Sequence, residues 1–177
     1  MMEAMNSTPK YQHIEALHSK ATKYLLLMQH SNNLIEQQLA ESLLPHQQMK
    51  VISLTAPHDD ALAQLLNSIT DELKQLKAGI HTVICGDESF LWMVQQCVVQ
   101  SGCLKEEISL VLDGSVQPKI KNIYCVHCGH LQKTVAEDYC ACEHCHVELM
   151  IRSHFSERLG AYMGVCANVH QPVGAKV

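Results

Sequence analysis

The sequence predicts an α/β fold class: a small parallel-sheet domain of about four strands, followed by a C-terminal metal-binding ribbon. Three observations carry this expectation. Short apolar runs alternate with amphipathic segments through residues 21–114. That periodicity stops at a connector containing Pro118. Beyond it, five of the nine cysteines crowd into residues 125–145.

The elements follow in order. Residues 1–20 are polar and His-rich, with Pro9, and read as a loose lead-in with a short helix near 11–18. Residues 22–29 (TKYLLLMQ) have the length and apolar content of a buried strand. Asn32 or Asn33 can cap a helix whose apolar positions are Leu34, Ile35, Leu39, Leu43 and Leu44, and Pro45 ends it. Residues 49–55 (MKVISLT) form a second strand. Pro57, Asp59 and Asp60 open a longer helix, in which Leu62, Leu65, Leu66, Ile69, Leu73 and Leu76 make one buried face. Gly79 stands where a left-handed C-cap belongs.

Residues 81–85 (HTVIC) are a third strand, leading into Gly86-Asp87-Glu88. A helix over 89–101 turns Leu91, Val94, Cys97 and Val98 inward and ends at Gly102. Residues 108–112 (ISLVL) are a fourth strand, closed by Asp113-Gly114. Strands alternating with helices through short loops imply parallel pairing and right-handed crossovers. The resulting layout is a lead-in over 1–20, an α/β domain over 21–114, a linker over 115–121 and a ribbon over 122–177.

Composition narrows the function. A chain of 177 residues, 47% hydrophobic and 18% charged, has the means to build a core, which excludes wholesale disorder. The formal charge of −5 disfavours phosphate backbones, so no nucleic-acid partner is expected. The apolar run at 24–28 falls far short of the roughly 20 residues of a membrane span. The opening MMEAMNSTPK lacks a basic start followed by an apolar stretch, so the expected location is the cytoplasm. In that reducing compartment, and with an odd number of cysteines, a disulfide framework is not expected, and the crowding of five of them points to a metal.

Two C-x-x-C pairs, Cys125-Val-His-Cys128 and Cys142-Glu-His-Cys145, are separated by thirteen residues. Two residues between cysteines let a tight turn aim both sulfurs at one point, and intervening N–H groups bond to the thiolates. Gly129 follows the first pair, where a positive φ is needed. Two such turns make a four-sulfur tetrahedral site for a structural Zn2+ ion, the signature of a zinc ribbon. Thiolate softness excludes magnesium and calcium. Four sulfur ligands leave no open position, so no catalytic residue is assigned. Iron is the rival metal, although the second pair lacks the proline and following glycine of a rubredoxin-like knuckle, carrying Glu143 and His146. Cys140 can exchange in as a ligand, and so can His127, His130, His144 and His146, which flank the pairs and otherwise serve as neighbours. Tyr124, Val135, Leu149, Met150 and Ile151 supply the apolar surface, residues 147–151 (VELMI) read as the last strand, and 154–165 pack on the protein or dock another subunit.

Two resemblances add to this reading. The stretch Val83-Ile84-Cys85-Gly86-Asp87, a helix ending at Gly102, and Lys105-Glu106-Glu107-Ile108 entering a strand resemble the closing β-α-β unit of a ferredoxin reductase-type NAD(P)-binding half. Cys85, Gly86 and Asp87 are the cofactor-binding candidates this likeness implies. Asp87 replaces the proline of that turn, and Gln29-His30-Ser31-Asn32 stands where a glycine-rich phosphate loop would follow the first strand. The expectation is a kept fold with the NAD(P) cofactor lost.

The second resemblance runs over 124–165 and includes HFSERLGAYMGV. Together with the α/β layout, it is similar to the DmmA-like subunit of dimethylamine monooxygenase. The resemblance assigns Cys125, Cys128, Cys142 and Cys145 as the ribbon ligands. It implies an accessory subunit of a system for oxidative N-demethylation of secondary amines. Haem-containing and flavin/iron–sulfur reductase subunits would carry electrons from NAD(P)H to oxygen. This sequence has no haem-attachment motif, separate iron–sulfur cysteines or flavin fingerprint, so a non-catalytic subunit is expected. The alternatives are an iron-loaded electron carrier, a nucleic-acid-binding ribbon, and a reactive Cys85 at a helix N-terminus.

Overall fold

The computed structural model describes residues 7–14, 17, 20–54, 59–75, 79–114 and 119–168. They form two compact units, one within Lys10–Val116 and the other within Met1–Pro9 and Gln117–Val177.

In the first unit the chain runs β1 (Lys23–Met28), α1 (Asn33–Ser42), β2 (Gln48–Ser53), α2 (Asp59–Gln75), β3 (Ile80–Gly86), α3 (Glu88–Gln100) and β4 (Ile108–Leu112). All four strands are parallel, in the order β2-β1-β3-β4. The α/β expectation of four parallel strands therefore holds. A parallel sheet must be covered on both faces, and β1 is buried from Tyr24 to Met28 accordingly. Tyr24, Leu26, Met28, Val83, Cys85 and Val111 share a core with Leu39 of α1 and with Ile14, Leu17 and Ala21. Helices α2 and α3 pack on each other, α2 against β2 and α3 against β3 and β4.

The helices depart from expectation in instructive ways. Asn32 caps α1, its side chain accepting from the N–H groups of Leu34 and Ile35. Only Leu39 of that helix is fully buried, with Ile35 and Leu43 partly so. Leu34 and Leu44, expected inward, are exposed because the inner stripe advances every four residues from Ile35. In α3, Phe90 and Trp92 are buried along with the expected Leu91, Val94 and Val98. Trp92 donates through Nε1 to the Tyr11 hydroxyl, which also bonds Glu88. The expected lead-in is thus partly structural: Gln12 N–H donates to the Leu110 carbonyl on edge strand β4 at 2.8 Å. Pro57, Leu76, Pro118 and the residues from 169 onward lie outside the described residues.

The second unit is a five-stranded sheet: β5 (Lys121–Cys125), β6 (Leu131–Thr134), β7 (Tyr139–Ala141), β8 (Glu148–Ser156) and β9 (Ala161–Cys166). Its order is β6-β5-β9-β8-β7. The expectation that 147–151 form the last strand is corrected. Strand β8 continues to Ser156, turns at Gly160 and returns as β9, which lies centrally, parallel to β5 and antiparallel to β8. Residues 154–165 therefore form the end of β8, its turn and most of β9. Ser7 joins this unit through paired backbone and side-chain bonds to Phe155.

The ribbon core is Ile123, Cys125, Cys142, Val147 and Leu149, with Ile151 and Tyr162 beside it. Val135, expected to contribute, is 61% exposed. Gly164 makes the packing possible: a Cβ there would stand 2.8 Å from Ile123 Cγ2 and 3.0 Å from Leu149 Cδ1. Only a strand without a side chain at this point lets the two flanking hairpins close over one core.

Candidate metal centre

Both cysteine turns are built to one plan. In the first, Cys125 N–H donates to the His130 carbonyl and Gly129 N–H returns to the Cys125 carbonyl, each at 2.8 Å. In the second, Cys142 N–H donates to the Val147 carbonyl and His146 N–H to the Cys142 carbonyl, each at 2.9 Å. The residue after each second cysteine adopts a positive φ, 76° at Gly129 and 59° at His146. The second plan was not legible from residue type, because a histidine there incurs a steric cost that glycine avoids.

The turns bring Cys125, Cys128, Cys142 and Cys145 together, with all four sulfurs within 4.8 Å of one another. Cys125 and Cys145 are 3.8 Å apart and Cys128 and Cys142 3.6 Å. These separations far exceed a disulfide bond. They match the edge of a tetrahedron of ligands about 2.3 Å from its centre, which is about 3.8 Å. The donor set and spacing fit a tetrahedral, thiolate-binding metal ion, so the four sulfurs can hold one.

Electrostatics lead the same way. Burial works against the Cys142 thiolate, yet N–H groups of Cys145 and His144 and the sulfurs of Cys145 and Cys128 bring its pKa down to about 6. Cys128 is pushed up to about 12, by desolvation and by the neighbouring sulfurs that need its proton. Desolvation also raises Cys125.

The flanking candidates take other roles. Cys140 packs beside the cluster, outside the four-sulfur group, with its thiol raised by desolvation and by Cys142. The His130 and His144 rings stack on each other, centroids 5.6 Å apart. Among the described residues, neither they nor His127 and His146 join a cluster of ligand atoms. Sequence reasoning missed Gln132, a buried polar residue that bonds the second turn on both sides of Cys142. The available signal was its inward position between exposed Leu131 and Lys133.

Cys85, Gly86 and Asp87 lie at the end of β3, beside the end of β1, where the strand order reverses. Open α/β sheets bind ligands at that crevice. Here the Gln29 side chain bonds Asp87. Its Nε2 donates to Asp87 Oδ2 at 2.9 Å, and its Oε1 accepts from Asp87 N–H at 2.6 Å. Asp87 Oδ1 caps α3 by accepting from Phe90 N–H at 2.8 Å. A Cβ at Gly86 would stand 2.7 Å from Gln29 Oε1 and from Phe90 Cδ1. Cys85 is 2% exposed, and burial, reinforced by Asp113, pushes its thiol up to about 12, the opposite of an activated nucleophile.

No helix among the described residues is long and apolar enough to cross a membrane. No solved structure matches the chain. The family description "Dimethylamine monooxygenase subunit DmmA-like, C-terminal domain" matches residues 122–165, the ribbon and its cysteines. A curated relative, the heme-dependent oxidative N-demethylase delta subunit of Ectopseudomonas mendocina (strain ymp), is 32% identical over 152 residues. That alignment covers 86% of this chain and 83% of the relative. A likeness of that extent, spanning both units and agreeing with the ribbon match, means that the chain belongs to the DmmA-like family of dimethylamine monooxygenase subunits.

Proposed function

We propose that this chain is a non-catalytic accessory subunit of a multi-component, haem-dependent oxidative N-demethylase that acts on secondary amines. Cys125, Cys128, Cys142 and Cys145 hold a structural zinc ion. The observation that carries the reading is the closed set of four sulfurs in a chain whose curated relative is named as a delta subunit of such an enzyme. A tetrahedral ion with four sulfur ligands has no position for substrate or oxygen, so it serves as a clasp for the ribbon. Haem-containing and flavin/iron–sulfur subunits supply the redox chemistry, and this subunit assembles or orients them. The α/β unit is read here as a scaffold, a reading supported by the Gln29 side chain, which bonds both the carboxylate and the N–H of Asp87 at the end of β3. The cytoplasm, where thiols stay reduced, suits this chemistry.

Co-expression with the haem and reductase subunits, followed by affinity purification, tests the assignment. A stoichiometric complex is expected, whereas a monomer that ignores those partners refutes it. Metal analysis of the same preparation should find one zinc per chain and no visible absorbance from the subunit alone. A coloured iron four-thiolate spectrum would replace the clasp by an electron carrier, because the sulfur spacing suits either metal.

A further inference from the structure

Gln132 lies on β6, in the hairpin that carries the first cysteine turn, yet its side chain acts on the second. Its Nε2 donates to the Ala141 carbonyl and its Oε1 accepts from the Glu143 N–H, both at 2.9 Å. Those two backbone groups flank Cys142 on either side. Nε2 also stands 3.9 Å from Cys140 Sγ. The side chain is only 6% exposed, while its neighbours Leu131 and Lys133 face outward. Burying an amide is unfavourable unless both of its ends are partnered, and here both are.

The topology gives the bond its meaning. Strands β6 and β7 are the two outer strands of the sheet and do not pair with each other. A side-chain amide carries a donor and an acceptor, as a peptide group does. Gln132 therefore supplies one ladder-like rung between the two edges, at the level of Cys142.

We propose that Gln132 is a positioning residue for the metal centre, clamping the peptide groups on both sides of Cys142 so that its sulfur stands at ligand distance before the ion arrives and is retained afterwards. This rests on the four-cysteine metal reading above. Groups that orient ligands in this way contribute about 10- to 100-fold to metal affinity.

The test measures metal release from zinc-loaded full-length protein into excess chromophoric chelator, for the wild type, Gln132→Leu and Gln132→Glu. Leucine keeps comparable volume and removes both polar ends. Glutamate keeps an acceptor for the Glu143 N–H and loses the donor. Release should accelerate by about 10- to 100-fold in Gln132→Leu and by less in Gln132→Glu. Cobalt-substituted samples should show the wild type's thiolate charge-transfer bands in Gln132→Glu, indicating that the same sulfurs ligate. Wild-type release rates in both variants overturn the proposal, even if melting temperatures fall. Should Gln132→Leu not fold, the rate in Gln132→Glu decides alone. A wild type that retains no metal refutes the metal reading itself, an outcome distinct from equal release rates in metal-bearing proteins.

Discussion

His146 N–H donates to the Cys142 carbonyl at 2.9 Å from a residue held at φ 59°, the geometry that Gly129 adopts toward Cys125 at φ 76°. The two turns are equivalent in backbone and unequal in strain. Only one has the residue without a Cβ, and a side chain in the left-handed region costs roughly 1 kcal/mol.

His146→Gly should therefore stabilise the metal-loaded ribbon by about 0.5–1 kcal/mol, since the His146 side chain is exposed and holds no cluster contact. Denaturant unfolding monitored on the ribbon checks it. A loss of stability would mean that the imidazole contributes more than its backbone strain costs.

Cys128→Ser removes one sulfur from the tetrahedron. The ion should leave, and the ribbon should unfold, because metal binding in such small units supplies on the order of 10 kcal/mol of folding free energy. Trp92, the only tryptophan, is buried in the α/β unit and reports that unit separately. Its fluorescence should stay native while hydrogen exchange in β5–β9 rises to unfolded rates. Simultaneous loss of both signals would refute the independence of the units.

Gly164→Val places two methyl groups against Ile123 and Leu149, where even one Cβ stands too close. Overpacking of this kind costs about 1–3 kcal/mol, and more where the neighbour is a central strand. Because Gly164 pairs with Cys125, the substitution should also loosen the first turn and speed metal release. Unchanged ribbon melting would contradict the packing described.

The α/β unit carries its own pH dependence. His81 Nε2 and Ser109 Oγ are 2.8 Å apart, and the ring lies beside Tyr24. Burial holds this imidazole below its ordinary pKa of 6.5, against an opposing pull from Glu107. Just below 6.5 the unfolded chain binds a proton that the folded unit refuses. The stabilisation is thus complete above that pH and is lost progressively as pH falls beneath it. Unfolding followed by Trp92 between about pH 5 and 8 should show this slope, and His81→Gln should flatten it. An equal slope in the variant would assign the effect elsewhere.

Much of the architecture was legible because it is local. The runs at 22–29 and 81–85 announce strands buried on both faces, and Asn32 and Gly102 mark helix ends by their own conformational preferences. The cysteine pairs are legible for the same reason, since two intervening residues define a turn without reference to the rest of the chain. The ribbon's long-range order was not. That β9 inserts between β5 and β8 depends on Gly164 meeting Ile123 and Leu149, residues 41 and 15 positions away in sequence.

The sequence by itself determined four parallel strands and two cysteine turns, because periodicity, turn chemistry and ligand spacing act within a few residues. Tertiary structure alone decided that the four sulfurs meet within 4.8 Å of one another, that Gln29 bonds Asp87 at the end of β3, and that Gln132 clasps the turn opposite its own hairpin. Each of these depends on side chains from distant segments reaching hydrogen-bond or ligand distance, and only the packing of the folded chain sets those distances.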